Sequence, residues 1–278
     1  MNYRELIQQL TPAYGAGEAR AIVRMVMEER FGLSQTDLLL GKDTTLSADE
    51  RKDFEKIALR LVAGEPVQHV LGYALFCGHR FKVSPDVLIP RPETEELVRL
   101  ALGIQPCAAT VLDLCTGSGC IAVSLAKALP EAEVIGVDVS HEALAMAQEN
   151  ASALGAMNVR FFQHDILEWS PATKTRFDLL VSNPPYVRES EATVMASHVL
   201  NHEPHLALFV PDDDPLRFYH AIARIGKKAL RQGGGLAVEI NAALPSETRQ
   251  LFIDAGYADV EIHQDQFARP RILTAKRP

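Results

Sequence analysis

Three acids, a glycine loop and an asparagine followed by two prolines recur through the middle of this sequence, each at the end of an apolar run. The stretch "LDLCTGSGCIAVSLA" sets Gly117 and Gly119 between a strand-like run and the opening of a helix. Chain without a Cβ turns sharply there and lets a ligand approach the backbone. Asp113 lies inside the strand end, four residues before the first glycine. Asp138 closes the next run, "VIGVD", where its carboxylate can accept from both hydroxyls of a ribose. Asp165 closes the third, "FFQHD", where an adenine amino group needs an acceptor. Gly117-x-Gly119-x-x-Ala122 also satisfies the dinucleotide fingerprint, so the loop alone leaves two cofactors open. The acids favour S-adenosylmethionine: a pyrophosphate seeks amide donors, whereas an ammonium and a sulfonium seek carboxylates.

The fourth run ends in "SNPPYVRE". Two consecutive prolines fix two φ angles and remove two donors, so the loop is stiff and cannot extend a strand ladder. The Asn183 side-chain oxygen and the Pro184 carbonyl can together accept both hydrogens of an NH2 group. That holds a planar amide or exocyclic amine with its lone pair in line with an S–CH3 bond, and it stabilises the positive charge that develops on nitrogen. Tyr186 is expected on the flat face of this acceptor or at the side of its pocket. The residues leave open whether the acceptor is a protein amide or a base amine of DNA or RNA. A nicotinamide-dependent oxidoreductase would leave the Asn-Pro-Pro-Tyr stretch unexplained, and a protein that only bound cofactor would not need Asn183.

The elements that must position these residues are legible as alternating patterns. "TVLDL", "AEVIGVD", "VRFFQHD", "FDLLVSN" and "GGLAVEI" read as buried strands, mostly separated by segments of helical period, which predicts a parallel sheet covered on both faces. "ADVEIHQD" and "PRILTAKR" have no helix between them and are expected to pair as an antiparallel hairpin. The fold class expected is therefore α/β and Rossmann-like, a seven-stranded, mostly parallel sheet with an antiparallel C-terminal hairpin, preceded by a small helical bundle. In that bundle Ala19, Ile22, Val23, Val26 and Met27 recur at helical spacing. A helix from Ser47 to Gly64 opens with Ser47 and Glu50 in capping-box register and turns Phe54, Ile57, Ala58, Leu61 and Val62 inward. Residues 1–72 are expected to form the helical domain, 73–92 a hairpin and linker, and 93–278 the cofactor-binding domain.

Composition narrows the classes. With 278 residues, 47% hydrophobic and 23% charged, the chain suits a soluble globular protein, and "MNYRELIQQL" lacks the pattern of a signal peptide, so a cytoplasmic location and no membrane association are expected. A net charge of −8 argues against stable nucleic-acid binding. The four cysteines have no metal-ligand spacing. His198, His202 and His205 read as surface or packing residues, since Pro204 breaks any shared helix, and no metal site is expected. Asp212 to Asp214 read as a solvated turn capping the next helix, Trp169 and the Phe161–Phe162 pair as packing, and Arg91 as a residue that pairs with Glu93 or Glu95 or faces the mouth of the site, the favoured role being a structural one that orders the entrance.

These motifs, with "GEPVQHVLG", "LIPRPETEELV", "HEPHLALF" and "AGYADVEIHQDQFARPRI", resemble the HemK/PrmC family of protein-glutamine N5-methyltransferases along essentially the whole chain. Asn-Pro-Pro-Tyr is shared with DNA, RNA and other protein methyltransferases; the proline-arginine-proline stretch and the helical module are the more specific marks. The resemblance implies methylation of the glutamine in the Gly-Gly-Gln motif of class I peptide chain release factors, with S-adenosylhomocysteine as the product. It implies that Cys115, Thr116, Gly117, Ser118, Gly119, Asp138, Ile166 and Asn183 line the cofactor. It also implies that Asn183, Pro184, Pro185 and Tyr186 hold the glutamine, that Glu203 and Pro204 brace a loop beyond the site, and that the amino-terminal helices dock the release factor. Ile166 stands where a family relative has an aromatic residue, and Cys115 where glycine is common.

Overall fold

The computed structural model describes residues 2–171 and 176–278, so Met1, the first residue of the expected helical domain, lies outside the described residues. The chain divides into two compact units. One runs to Tyr73 and takes in Ala196–His202, and the other comprises Ala74–Met195 and Glu203–Pro278.

The first unit is helical. Helix α1 (Tyr3–Phe31) starts from a reciprocal capping box between Asn2 and Glu5, and Gly15, at φ 76°, interrupts it. Helices α2 (Gln35–Leu39), α3 (Ala48–Val62) and α4 (Val67–Leu71) follow. The Ser47–Glu50 box opens α3 as its spacing predicts. Leu6, Leu10, Val23, Met27, Phe54, Ile57 and Leu61 form a core of this unit's own. Val62 departs from the expected inward face: it is 48% exposed, one position past the buried stripe that ends at Leu61.

The hairpin β1 (Tyr73–Phe76) and β2 (His79–Lys82) leads into the second unit, which starts at Ala74, and sends Phe76 and Phe81 into its core. After α5 (Thr94–Ile104), strands and helices alternate: β3 (Thr110–Leu114), α6 (Cys120–Ala128), β4 (Glu133–Asp138), α7 (His141–Ala153), β5 (Val159–Gln163) and β6 (Phe177–Ser182). Then come β7 (Val187–Arg188), α8 (Ser197–His202, part of the helical unit), β8 (Phe209–Val210), α9 (Arg217–Ala229), β9 (Leu230–Glu239), α10 (Pro245–Asp254), β10 (Ala258–Gln264) and β11 (Pro270–Lys276).

Seven strands form one sheet in the order β10-β11-β9-β6-β3-β4-β5. Strands β9, β6, β3, β4 and β5 are parallel, and β11 runs antiparallel to both β9 and β10, as expected of the closing hairpin. Successive side chains alternate between the faces: Val111, Leu179 and Val181 enter one core, while Leu112, Leu114 and Leu180 enter the other. The chain winds outward in both directions from the neighbouring strands β3 and β6. This is the switch point at whose carboxyl edge open sheets of this kind bind ligands.

Two local expectations are corrected. Strand β5 ends at Gln163, so Asp165 sits in the loop beyond it. The Asp212 carboxylate accepts from the Ser190 amide and hydroxyl, and α9 has no side-chain cap. Beyond the expected strands, β7 and β8 form a short parallel pair just after the Asn-Pro-Pro-Tyr loop.

Candidate active site

A cavity of about 280 Å³ opens at the switch point. Among the expected residues Cys115, Thr116, Gly117, Ser118, Asp138, Asp165, Ile166, Asn183 and Pro185 line it, with Arg91, expected at the entrance, and with Val87, Thr94, Ala207 and Phe218, which sequence reasoning did not assign to it. Asp113, Gly119, Pro184 and Tyr186 are not on its wall.

The loop after β3 is built by backbone conformation. Cys115 has φ 59° and Gly117 φ 55°, and with Gly119 three residues of this turn occupy the left-handed region that favours glycine. Gly119 has φ 78°, and a Cβ there would stand 2.9 Å from that of Ala147 on α7. The Thr116 hydroxyl donates to Asp113 at 2.6 Å, and the Gly117 amide donates to Asp138 Oδ2 at 2.8 Å, while the Ser140 amide donates to Oδ1 at 3.0 Å. Asp138 thus tethers the loop to β4 while facing the cavity. Burial raises its pKa against the pull of these amides.

Asp113 stands behind the wall, fully buried. Its Oδ1 makes no hydrogen bond of normal geometry. Burial pushes its carboxyl up to about 7; the Thr116 hydroxyl and the Ala122 amide lower it, and the Asp138 charge adds to the rise. Its link to the cavity is Thr116, which donates to it and lines the wall. Burial, with Asp138 and Asp113 nearby, raises the Cys115 thiol as well, so this cysteine is a poor nucleophile.

On the opposite wall the Asp165 carboxylate accepts from the Leu167 amide at 2.9 Å, and its carbonyl accepts from Glu168 and Trp169. Arg224 clamps this loop by donating to the carbonyls of Ile166, Leu167 and Trp169. Ile166 is buried against the core, and Trp169 stacks on His164, with ring centroids 4.8 Å apart. Of the two phenylalanines read as packing, Phe161 packs and Phe162 is 44% exposed, as strand alternation requires.

After β6, Asn183 faces the cavity and donates through Nδ2 to the Thr94 hydroxyl at 3.3 Å. Thr94 donates to Glu239 Oε2 at 2.7 Å, and Tyr186 donates to Glu239 Oε1 at 2.8 Å. Tyr186 therefore braces the loop from behind instead of lying over the cavity, and Asn241 holds its carbonyl at 2.9 Å. Glu239, at the end of β9, is fully buried; burial raises its pKa, and the Thr94 and Tyr186 hydroxyls and the Arg271 charge lower it. A lone acid inside the apolar run "GGLAVEI", one residue before its end, was the available signal for it. Its partners, 145 and 53 positions away, left none.

Arg91 pairs with Glu203 at 2.6 Å, not with Glu93 or Glu95; the Glu95 carboxylate instead accepts from the Cys77 amide. The other Glu203 oxygen accepts from the Ile89 amide at 3.0 Å, so one buried carboxylate joins the Pro85–Arg91 and Pro204–Ala207 walls of the cavity. His198 packs on Tyr14 and His205 on Phe209.

The cavity suits a cationic nucleoside. Its lining carries the carboxylates of Asp86, Asp138, Glu142 and Asp165 against one guanidinium, Arg91, with His164, the Asn183 amide, hydroxyls and turn amides; a fifth acid, Asp113, with an unsatisfied oxygen lies behind it, and apolar side chains fill the rest.

Comparison with known proteins agrees with this geometry. Residues 107–274 match the family described as "Methyltransferase domain", and residues 3–72 match the "PrmC N-terminal domain". A release factor glutamine methyltransferase of Bacteroides thetaiotaomicron is 46% identical over 270 residues, covering 97% of each chain. One from Flavobacterium psychrophilum is 38% identical, covering 98% of this chain and 97% of its own. Among solved structures, a T. thermophilus 16S rRNA N2 G1207 methyltransferase in complex with AdoMet and guanosine superposes with a TM-score of 0.50 at 18% identity. That match covers 74% of this chain and 50% of the other, and it shows the fold alone. With relatives this similar over nearly its full length, the chain belongs to the release factor glutamine methyltransferase family.

Proposed function

We propose that this protein transfers a methyl group from S-adenosylmethionine to the side-chain amide nitrogen (N5) of the glutamine in the Gly-Gly-Gln motif of class I peptide chain release factors. It is an S-adenosylmethionine-dependent protein-(glutamine-N5) methyltransferase. The observation that carries the reading is Asn183, on the wall of the same cavity as the glycine loop and Asp138, in a chain that matches relatives of this activity end to end.

The cofactor supplies an electrophilic methyl group on a positively charged sulfur. Cys115, Thr116, Gly117, Ser118 and Gly119 form the turn that holds its methionine half, with Asp113 acting through Thr116. Asp138 receives the ribose hydroxyls on the lone pairs its amide partners leave free, and Asp165 with Ile166 forms the adenine side. Ile166 offers an apolar contact where a ring would stack.

Asn183 Oδ1 and the Pro184 carbonyl accept the two amide hydrogens of the glutamine, and Pro185 and Tyr186 keep those acceptors in place. Aimed at hydrogens that grow more acidic as nitrogen becomes positive, fixed acceptors bind the transition state more tightly than the ground state. No general base is needed to make nitrogen attack, because the proton can leave after transfer. Residues 1–72 dock the release factor, 73–92 connect, and 93–278 carry the chemistry. The substrate is protein, and neither nucleic acid nor membrane takes part. The protein acts in the cytoplasm.

Asn183→Ala separates binding from chemistry. Radiolabel transfer to a purified release factor should fall at least a hundredfold, with cofactor affinity by calorimetry within about threefold of wild type. Equal transfer by the variant would refute the role given to Asn183.

A further inference from the structure

Resting on that reading, we infer that Thr94 is the positioning residue that fixes which way round the Asn183 amide stands. An asparagine side chain is nearly symmetric in shape, yet its two ends are chemically opposite: one accepts hydrogen bonds and the other donates. If Nδ2 faced the substrate, two N–H donors would confront the N–H groups of the glutamine. Packing alone cannot prevent this, because the two orientations fill the same space.

The hydrogen-bond chain behind the loop can. Glu239, buried and carboxylate-bearing, accepts the Thr94 hydroxyl proton at 2.7 Å, so the Thr94 oxygen has only lone pairs to offer elsewhere. The group it meets, at 3.3 Å, is Asn183 Nδ2. The donating end of Asn183 is thereby engaged and Oδ1 is left for the substrate. Tyr186 occupies the second Glu239 oxygen at 2.8 Å, which holds the carboxylate in the orientation Thr94 needs. Thr94 is only 2% exposed, yet it borders the cavity, so its hydroxyl is shielded from bulk water that could reverse the polarity of the chain. Asn183 and Thr94 lie 89 positions apart, and α5 and β6 bring them together.

The test compares wild type with Thr94→Val, which keeps the shape and removes the hydroxyl, and Thr94→Ser, which keeps the hydroxyl. Steady-state methyl transfer to a purified release factor is followed, and cofactor affinity is measured by calorimetry. Thr94→Val should lower kcat at least tenfold, with the cofactor Kd within about threefold, and Thr94→Ser should recover kcat to within about threefold of wild type. Should Thr94→Val fail to fold, Thr94→Cys takes its place: the thiol is a weak acceptor, and its kcat should fall several-fold below that of the serine variant. The inference is overturned if Val and Ser both stay within twofold of wild type, if they lose activity equally, or if Cys matches Ser. A wild-type protein that leaves the release-factor glutamine unmethylated overturns the proposed function, and this inference with it. An active wild type with an unimpaired valine variant overturns the inference alone.

Discussion

Asp113 is a carboxyl group poised between its two states. Burial raises its pKa from 3.8 to about 7, so the folded chain holds a proton there that the unfolded chain has released across that interval. The folded state binds more protons, and this contribution to stability is present in acid and is lost as pH rises towards 7. A bound cation favours the ionised form. Cofactor binding should therefore expel a proton, and affinity should rise between pH 6 and 8 before levelling off. Calorimetry at pH 6.5 in two buffers of different ionisation heat checks this; an affinity independent of pH, with no proton released, would contradict it. Gly119 gives a steric counterpart. Gly119→Ala meets a left-handed backbone, costing about 1–2 kcal/mol, and the Ala147 side chain, costing about 1–3 kcal/mol more. Thermal or denaturant unfolding should show a loss of several kcal/mol, and an unchanged midpoint would contradict the close approach of α6 and α7.

Elements joined by local pattern were legible in the sequence, and those joined by distant polar contacts were not. The Ser47–Glu50 box, the apolar runs of β3 to β6 and the closing hairpin all express periods of a few residues, and the structure contains each of them. Asn183, Asp138 and the glycine loop were legible because each follows such a run. Glu203 and Arg91 are 112 positions apart, and neither neighbourhood signals the pairing. Strands β7 and β8 span two residues each, too short for any alternation to show. The Glu203 bridge makes its own prediction. Glu203→Gln should weaken the hold on the Ile89 amide and Arg91 by about 1–3 kcal/mol. Hydrogen exchange at Ile89 should accelerate about tenfold and cofactor affinity should fall, with kcat at saturation little changed; unaltered exchange would show that the bridge does not order the cavity wall.

At the scale of the whole molecule, charge and architecture point to the same kind of partner. A chain of net charge −8 has no bulk attraction for a phosphate backbone. Electrophoretic binding to ribosomal RNA fragments near physiological salt should be absent at micromolar protein, and salt-sensitive submicromolar binding would favour a base amine as acceptor. On the proposed reading, the sheet supplies a cavity for the methyl donor, the Asn-Pro-Pro-Tyr loop acceptors for an amide, and the helical unit the grip on a protein. The measurement that tests this most directly is mass spectrometry of a class I release factor incubated with the protein and S-adenosylmethionine, beside a release factor whose Gly-Gly-Gln glutamine is replaced. One added methyl group on that glutamine, with none on the replaced protein, is the predicted result. Methylation of both proteins alike, or of neither while added RNA becomes methylated, would contradict it.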